Sequence, residues 1–467
     1  MRTRTEHDTM GPMQVPADAL YGASTARAVQ NFPIARRPLP GELIHAFGHL
    51  KAACAQANLE LGKLPPDIAD VIRSASDEVA RGMHDAHFPV DVYQTGSGTS
   101  TNMNANEVIA QLAYRKSGKS VHPNDHVNMG QSSNDTFPTA MQIAAAMVLQ
   151  RELIPTLENL EQKLNTLSRD WDRIVKVGRT HLMDATPIRM GQVFSGYADA
   201  ASKMIEKAKM ARQEMLENLA IGGTAVGTGI NTHPDFAKRV CRILTERLLH
   251  DAAPLEFQEA ENHPHAQATR DNFVVAHGHL RMIAIGLTKI ANDIRLLASG
   301  PRCGIGELIL PAIQPGSSIM PGKENPVICE SVIQVSCRVI GNDTTIATAD
   351  LGGIGSVFEL NVAMPVIIDT FLESAHLLTR VIRVFIEKLL TGLRVNEKRC
   401  SELVEQNLMN ITALAPVIGY DQAAAIAKKA LTEGKTIRQI VRELDLLDEQ
   451  TLNKRLNYDA MTRPRTE

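Results

Sequence analysis

Four segments of this 467-residue chain are rich in hydroxyl, amide and small side chains, and each interrupts the predicted helices with hydrogen-bonding groups. The first comprises residues 96–104, GSGTSTNMN. Its small residues let the backbone approach a ligand closely, and its hydroxyls and amides can bind a carboxylate or a hydroxyl group. A Ser or Thr at this place can equally cap a helix that continues over residues 105–112. The residues alone leave both interpretations open.

The second segment contains two short polar motifs, HPNDH and QSSND. His122 and His126 in the first motif are four residues apart, a spacing that metal ligands on a helix use. Pro123 and the Asn-Asp pair after it favour a turn instead, and no third ligand is evident. The second motif, residues 131–135, offers three neutral hydrogen-bonding groups in a row, which could bind a ligand or cap the next helix.

The third segment, residues 178–187 (GRTHLMDATP), places His181 directly after Thr180 in a polar hinge between two predicted long helices. A histidine is more often a surface residue or a satisfied core residue than a catalytic one. A hinge between the helices of a bundle can nevertheless present its side chains inward, where ligand sites are built. His181 is therefore a candidate functional residue.

The fourth segment, residues 315–326 (PGSSIMPGKENP), contains three prolines and two glycines and cannot be helical. It ends in a helix-start signal, because Asn325 fits an N-cap and Pro326 fits the first helical position. Glu330 would then lie one turn into that helix. A loop that carries hydroxyls and Lys323 beside a helix N-terminus can bind an anion and close over it as a lid. The alternative is a surface connector, which explains fewer of these residues.

Long helices are predicted to position these segments. Apolar residues in four stretches recur in steps that average about 3.5 residues, which keeps one apolar face towards a partner helix. The stretches are residues 153–167, 190–219, 276–297 and 368–389. The predicted fold class is all-α, in three domains: a small mixed, mainly helical N-terminal domain (1–131), a central long-helix bundle (132–391) and a small helical C-terminal domain (392–467). Helices this long favour a bundle shared between several chains, although a long monomeric bundle would have the same pattern.

Composition argues against several classes of partner. The chain has 49 Lys and Arg residues against 52 Asp and Glu residues, a net charge of −3, so no basic face for nucleic acid or anionic lipid is indicated. Six cysteines form no C-x-x-C pair, which gives no sign of a zinc site or a redox motif. No apolar stretch has the length of a signal peptide or a membrane span. We therefore expect a cytoplasmic protein that binds neither nucleic acid nor membrane.

The segment GSSIMPGKENP (residues 316–326) resembles the shared loop of the fumarase/aspartase superfamily, whose members break a C–O or C–N bond beside a carboxylate. Further segments resemble those of the family in family order and cover nearly the whole chain: MGPMQVPADALYGAST, GSGTSTNMNANE, HPNDHVN, QSSNDTFPTAM, GRTHLMDATP, GGTAVGTGINTHP, SGPRCGIGE and NPVICE. Within the superfamily the chain is most similar to the class II fumarate hydratases, the iron-independent fumarases.

This resemblance implies a fold, a reaction and an assembly. The expected subunit has three domains and is mainly helical, and four subunits share one twenty-helix core. Each active site would combine residues from three subunits of the homotetramer. The implied reaction is the reversible hydration of fumarate to L-malate in the tricarboxylic acid cycle, by anti addition and elimination through an aci-carboxylate intermediate. The implied substrate is a small dicarboxylate, and neither a metal nor an organic cofactor is implied.

The resemblance also implies roles for individual residues. Ser317 would be the catalytic base, His181 the acid/base group and Glu330 the residue that orients its imidazole. The substrate would be bound by polar residues of all four segments, namely Ser97, Gly98, Thr99, Ser132, Ser133, Asn134, Thr180, Ser318, Lys323 and Asn325. A second, peripheral dicarboxylate site of the family would correspond to His122, Pro123, Asn124 and Asp125.

Two alternatives remain open at this stage. Glu324 places a carboxylate in the loop, and the sequence of residues 251–272 resembles the aspartases more than the fumarases. An aspartate ammonia-lyase is therefore the first alternative. Thr180 and His181 favour the fumarases, because aspartases typically carry Gln at the histidine position. The second alternative is a non-catalytic structural member, since relatives of this superfamily serve as lens proteins. The presence of Ser317, His181 and Lys323 makes a purely structural role improbable.

Overall fold

A computed structural model describes residues 2–249 and 254–464, so the first residues of the 251–272 segment lie outside it. Most of the described chain is helical, which confirms the predicted fold class. The helices are α1 (Ala23–Asn31), α2 (Gly41–Glu60), α3 (Pro66–Ala80), α4 (Thr99–Ser117), α5 (Ser133–Val148), α6 (Ile154–Asp170), α7 (Met190–Leu216), α8 (Phe236–Arg247), α9 (His263–Ala268), α10 (Asp271–Leu297), α11 (Val327–Asp350), α12 (Met364–Val384), α13 (Glu397–Gln406), α14 (Ala415–Ile418), α15 (Tyr420–Glu433), α16 (Ile437–Glu443) and α17 (Glu449–Arg455).

Within residues 2–249 and 254–464, eight short strands form two-stranded antiparallel pairs. They are β1 (Thr3–Asp8), β2 (Gly11–Pro16), β3 (Val175–Thr180), β4 (Met183–Arg189), β5 (Leu308–Ile309), β6 (Ser356–Val357), β7 (Leu360–Asn361) and β8 (Arg394–Val395). The pairs are β1 with β2, β3 with β4, β5 with β8, and β6 with β7. Short helical turns lie at Asp85–His87, Pro123–Val127, Leu149–Leu153, Phe385–Leu390, Leu408–Ala413 and Ala460–Thr462. The four stretches with helical periodicity lie largely in α6, α7, α10 and α12.

Internal contacts divide the chain into two compact units. Unit 1 comprises Met1–Pro155, Glu206–Ala284 and Val335–Thr379, and unit 2 comprises Thr156–Ile205, Ile285–Gln334 and Arg380–Glu467. The division into domains 1–131, 132–391 and 392–467 stays a prediction.

Helices α2 and α5 lie at the core of unit 1. Every residue of α5 from Asp135 to Val148 is buried, and α2 is buried along most of its length against α3, α5 and α8. Their sequences explain this burial, because runs of Ala with Ile, Leu, Met and Phe allow close packing on all sides of a helix. The start of α5 is fixed by a capping box between Ser132 and Asp135.

Unit 2 contains the β3–β4 hairpin and most of the C-terminal region. The segment expected to be a polar hinge is this hairpin, which connects α6 to α7. Residues 411–456 have their own hydrophobic cluster, built from helices α15 to α17 and the turn before them. Asn407 joins this region to the hairpin, because its Nδ2 donates to the carbonyl of Ala185 at 2.7 Å.

No helix within residues 2–249 and 254–464 combines the length and the apolar character that a membrane crossing requires.

Candidate active site

The first predicted segment forms the beginning of α4 in unit 1. The hydroxyls of Ser97 and Thr99 lie 2.8 Å apart, with Ser97 buried and Thr99 half-buried. Gly98 between them has a left-handed φ of 72°, and a Cβ at this position would overlap the ring of Phe137. Glycine is therefore required here both by the backbone conformation and by the close approach of α4 to α5.

The first and second segments meet through the side chain of Asn102. Its Nδ2 donates to Ser133 Oγ at 3.0 Å, and its Oδ1 accepts from Thr136 Oγ1 at 3.2 Å. Asn134, next to Ser133, donates from Nδ2 to the carbonyl of Ala225 at 2.8 Å. Because the Ser133 oxygen already accepts a hydrogen bond, its own proton is available to donate to a ligand.

The buried carboxylate of Asp135 holds this corner of unit 1 together. One oxygen accepts from the backbone N–H of Ser132 at 2.9 Å, and the other accepts from those of Gly222 and Thr224 at 3.0 and 2.9 Å. Burial raises the pKa of Asp135 to about 6, against the effect of these hydrogen bonds. The Gly-rich segment that follows α7 thus serves as a support for the start of α5.

Lys51 is a residue that the sequence analysis missed. Its side chain is fully buried in α2, and its Nζ donates to Asn128 Oδ1 and to Gln131 Oε1, each at 2.9 Å. The sequence could have indicated this residue. Lys51 interrupts a run of small and apolar residues from Ala46 to Ala57 in which few other charges occur.

The residues of the predicted second dicarboxylate site lie together in one helical turn of unit 1. His122 Nδ1 accepts from the backbone N–H of Asp125 at 3.1 Å, and both side chains are exposed. His122 and Pro123 line a cavity of about 420 Å³ that also contains Arg4 and Glu107. The histidine pair is not part of a metal centre within the described residues, where no three His, Cys, Asp or Glu side chains are arranged to hold an ion.

Thr180 and His181 lie at the tip of the β3–β4 hairpin in unit 2. Thr180 pairs with Met183, so His181 and Leu182 form a two-residue turn with φ angles of 57° and 63°. Turns of this kind favour Asn and Gly, because left-handed backbone costs other residues about 1–2 kcal/mol each. His181, Leu182 and Met183 are all exposed. Non-glycine residues held in this conformation at an exposed tip indicate a functional constraint.

A buried carboxylate, that of Glu307, holds strand β3 of the hairpin through ion pairs. Glu307 is fully buried, and its carboxylate lies 2.9 Å from Arg179 Nη1 and 3.2 Å from Lys176 Nζ. Burial lowers the pKa of Lys176, and the Glu307 charge opposes this shift. Arg179 directly precedes Thr180, so Glu307 fixes the backbone that carries His181.

The loop of residues 315–326 is closed by its own hydrogen bonds. The N–H of Gly316 donates to the carbonyl of Lys323 at 2.8 Å, and Asn325 Nδ2 donates to the carbonyl of Gly316 at 2.7 Å. Ser317 Oγ accepts from the N–H of Met320 at 3.1 Å and from that of Ile319 at 3.3 Å. Two donors directed at one serine oxygen favour its deprotonated form, since they stabilise negative charge.

The remaining loop residues are accessible. Ser318, Lys323 and Glu324 are exposed, and so is Glu330, whose N–H donates to the carbonyl of Pro326 in the first turn of α11. Within the described part of a single chain, no hydrogen bond joins Glu330 to His181. The structure therefore brings together the first two segments in unit 1 and describes the other two in unit 2, and the assignment of all these residues to one site stays a prediction.

Comparisons with known proteins agree with the sequence resemblance. Residues 11–341 match the family model described as "Lyase", and residues 411–463 match "Fumarase C C-terminus". A class II fumarate hydratase of Corynebacterium glutamicum is 53% identical over 98% of this chain and 96% of its own length. The crystal structure of class II fumarase from Schistosoma mansoni covers 100% of both chains at 37% identity with a TM-score of 0.94. A fumarate lyase:delta crystallin from Brucella melitensis, bound to cobalt, has 39% identity and a TM-score of 0.94 over 99% of this chain and 100% of its own.

Substitution of Gly98 tests the contact between α4 and α5. Gly98→Ala should lower the free energy of unfolding by about 3 kcal/mol, because it combines a left-handed alanine with an overlap against Phe137. Gly118→Ala is the matched control, since Gly118 ends α4 with a φ of 70° and has no atom near its missing Cβ. It should cost about 1 kcal/mol in urea unfolding. Equal losses in the two variants would show that the contact with Phe137 is unimportant.

Removal of the Glu307 charge tests the anchor of the hairpin. Glu307→Gln leaves the buried Lys176 and the half-buried Arg179 without a carboxylate and should lower the free energy of unfolding by about 3 kcal/mol. The control Asp199→Asn removes an exposed ion pair with Lys203 and should cost less than about 0.5 kcal/mol. Denaturant unfolding followed by circular dichroism measures both. A Glu307→Gln variant as stable as the control would contradict the anchoring role.

Proposed function

Because the chain belongs to the class II fumarase family of the fumarase/aspartase superfamily, we propose that it catalyses the reversible hydration of fumarate to L-malate. The observation that carries the proposal is the identity of 53% to a class II fumarate hydratase over nearly the whole chain. The residues to which the resemblance assigns the chemistry support it, because Ser317, His181 and Lys323 are all present in their segments. The reaction fits the tricarboxylic acid cycle.

In the direction of malate dehydration, Ser317 is proposed to remove a proton from the carbon beside a carboxylate. The electron pair of the broken C–H bond moves into that carboxylate and gives an aci-carboxylate with two negative charges on its oxygens. The two backbone N–H groups that bind Ser317 Oγ support the basic form of the serine. Lys323 and the hydroxyls of the substrate-binding residues would stabilise the added charge.

The second step breaks the C–O bond on the neighbouring carbon. The hydroxyl group leaves with a proton supplied from His181, directly or through a water molecule, and departs as water. Glu330 is proposed to orient and charge the imidazole, which requires the two side chains to meet in the assembly.

No step in this scheme needs a metal or an organic cofactor, and we propose that the enzyme works without one. Activity of chelator-treated protein equal to that of untreated protein would support this.

The substrate-binding residues are proposed to act together as a carboxylate and hydroxyl site. They are Ser97, Gly98, Thr99, Ser132, Ser133, Asn134, Thr180, Ser318, Lys323 and Asn325. The hydrogen bond from Asn102 to Ser133 supports the grouping of the first two segments. We further propose that His122, Pro123, Asn124 and Asp125 form a peripheral dicarboxylate site, which is supported by the cavity that His122 and Pro123 line and by the exposure of His122, Asn124 and Asp125.

The reaction is tested by absorbance near 240 nm with L-malate and, in parallel, L-aspartate. Fumarate formation from malate alone is expected, and Ser317→Ala should reduce kcat by about 10²–10⁴-fold. Ser401→Ala, an exposed serine of α13, is the matched control and should retain full activity. Ammonia release from aspartate would make the chain an aspartase instead. No product from either substrate would contradict both and favour a structural role.

We also propose a homotetramer in which each active site takes residues from three subunits. The exposed tip at His181 and the exposed start of α11 at Glu330 support it, because both are expected to face a ligand or another chain.

Mixing Ser317→Ala with His181→Asn subunits by co-refolding should restore activity, up to about a quarter of wild type when the two residues come from different chains. Light scattering should give four times the 51.0 kDa chain mass. Mixed tetramers that stay inactive would contradict shared sites.

A further inference from the structure

Lys51 carries a buried positive charge that no carboxylate neutralises by direct contact. Its side chain is fully buried, and both of its hydrogen bonds go to neutral amide oxygens, those of Asn128 and Gln131. In the described residues, no carboxylate oxygen lies within salt-bridge distance of Lys51 Nζ. Asp135 interacts with the Lys51 charge only by long-range electrostatics. Both of its carboxylate oxygens accept hydrogen bonds from backbone N–H groups instead. Burying a charge in this way is costly, which makes Lys51 a candidate functional residue.

The ammonium lies directly behind the predicted substrate-binding residues of unit 1. Asn128 Oδ1, which accepts from Lys51, also accepts from Asn102 Nδ2 at 3.3 Å. The same Asn102 nitrogen donates to Ser133 Oγ at 3.0 Å. Gln131, the other partner of Lys51, is covalently next to Ser132. The charge is thus separated from Ser133 by two amide side chains only.

The direction of these hydrogen bonds determines what Ser133 can do. Lys51 has only donors, so Asn128 and Gln131 must present their oxygens to it. Asn102 then donates to Ser133, and the Ser133 proton is left for an acceptor such as a carboxylate. Burial lowers the pKa of Lys51 to about 8, so the ammonium form still predominates at neutral pH. A negative ligand in the adjoining site would offset the cost of burying that charge.

We propose that Lys51 is a positioning residue of the dicarboxylate site, whose buried ammonium orients the donors around Ser133 and favours a doubly negative ligand over a singly negative one. The inference rests on the proposed function for the identity of the substrate. Lys51 does not contact the ligand in this scheme but acts through the amides of Asn128, Gln131 and Asn102.

Steady-state kinetics of Lys51→Gln and Lys51→Met on the full-length protein test the proposal. Gln keeps a donor but loses the charge, and Met loses both while keeping the length of the side chain. In both variants KM for fumarate should rise about tenfold while kcat changes less than about threefold. A purely structural role would instead lower kcat through loss of active protein and leave KM unchanged. KM within twofold of wild type in the folded variants would overturn the proposal.

Calorimetric binding of succinate and of its monoamide, succinamate, tests the charge directly. Lys51→Gln should lose about tenfold in affinity for succinate and no more than about threefold for succinamate. Equal losses for the two ligands would overturn the preference for a doubly negative ligand. Lys63→Gln, at an exposed position just after α2, is the matched control and should change neither affinity. If Lys51→Met does not fold, Lys51→Gln carries the test, since it keeps a hydrogen bond.

The two proposals fail in different ways. A wild-type protein that does not hydrate fumarate, but binds succinate more tightly than Lys51→Gln, would overturn the proposed reaction and support the role of Lys51. A wild-type protein that hydrates fumarate with a KM that Lys51→Gln and Lys51→Met do not change would overturn the role of Lys51 alone. A wild-type protein that binds no dicarboxylate would overturn both.

Discussion

The carboxylate of Asp135 is the interaction on which the predicted ligand-binding corner of unit 1 depends. It binds backbone N–H groups of its own helix start and of the Gly-rich segment that follows α7, two regions far apart in sequence. Three such hydrogen bonds satisfy a buried carboxylate without using any side-chain donor. The hydroxyls and amides of Ser132, Ser133 and Asn134 are therefore oriented by a carboxylate that is not itself exposed to a ligand.

Unit 2 uses a buried carboxylate in a comparable way. Glu307 pairs with Lys176 and Arg179 of strand β3, while the residues at the tip of the hairpin make the exposed turn. The tip contains two left-handed residues that are neither Gly nor Asn, and the strain is tolerated because the strands below it are held firmly. In both units a buried carboxylate holds the backbone in place next to residues that are predicted to bind the substrate or act on it.

The helical class and the long helices followed from apolar periodicity, because a bundle core leaves that pattern in the sequence. The hairpin at 175–189 could not be predicted from periodicity. Its strands are short and half-exposed, and they lack the alternation of apolar and polar residues that marks a strand. Helix α11 was identified only by its start, because its small and apolar residues are distributed around the whole helix. The polar segments were found from composition, but Lys51 and Glu307 were not, because their importance depends on contacts with residues distant in the sequence.

The distribution of charge is consistent with a reaction in which negative charge increases. A dicarboxylate that loses a proton from carbon becomes more negative, so the groups around it must be neutral donors or cations. Of the residues proposed to bind or position the substrate, Ser97, Thr99 and Ser133 supply neutral hydroxyls, and Lys323 and Lys51 supply positive charge. Glu324 is the exception within the loop, and its exposed position places it in contact with water, which screens its charge. A solvated carboxylate in the loop is thus compatible with the proposed anionic substrate.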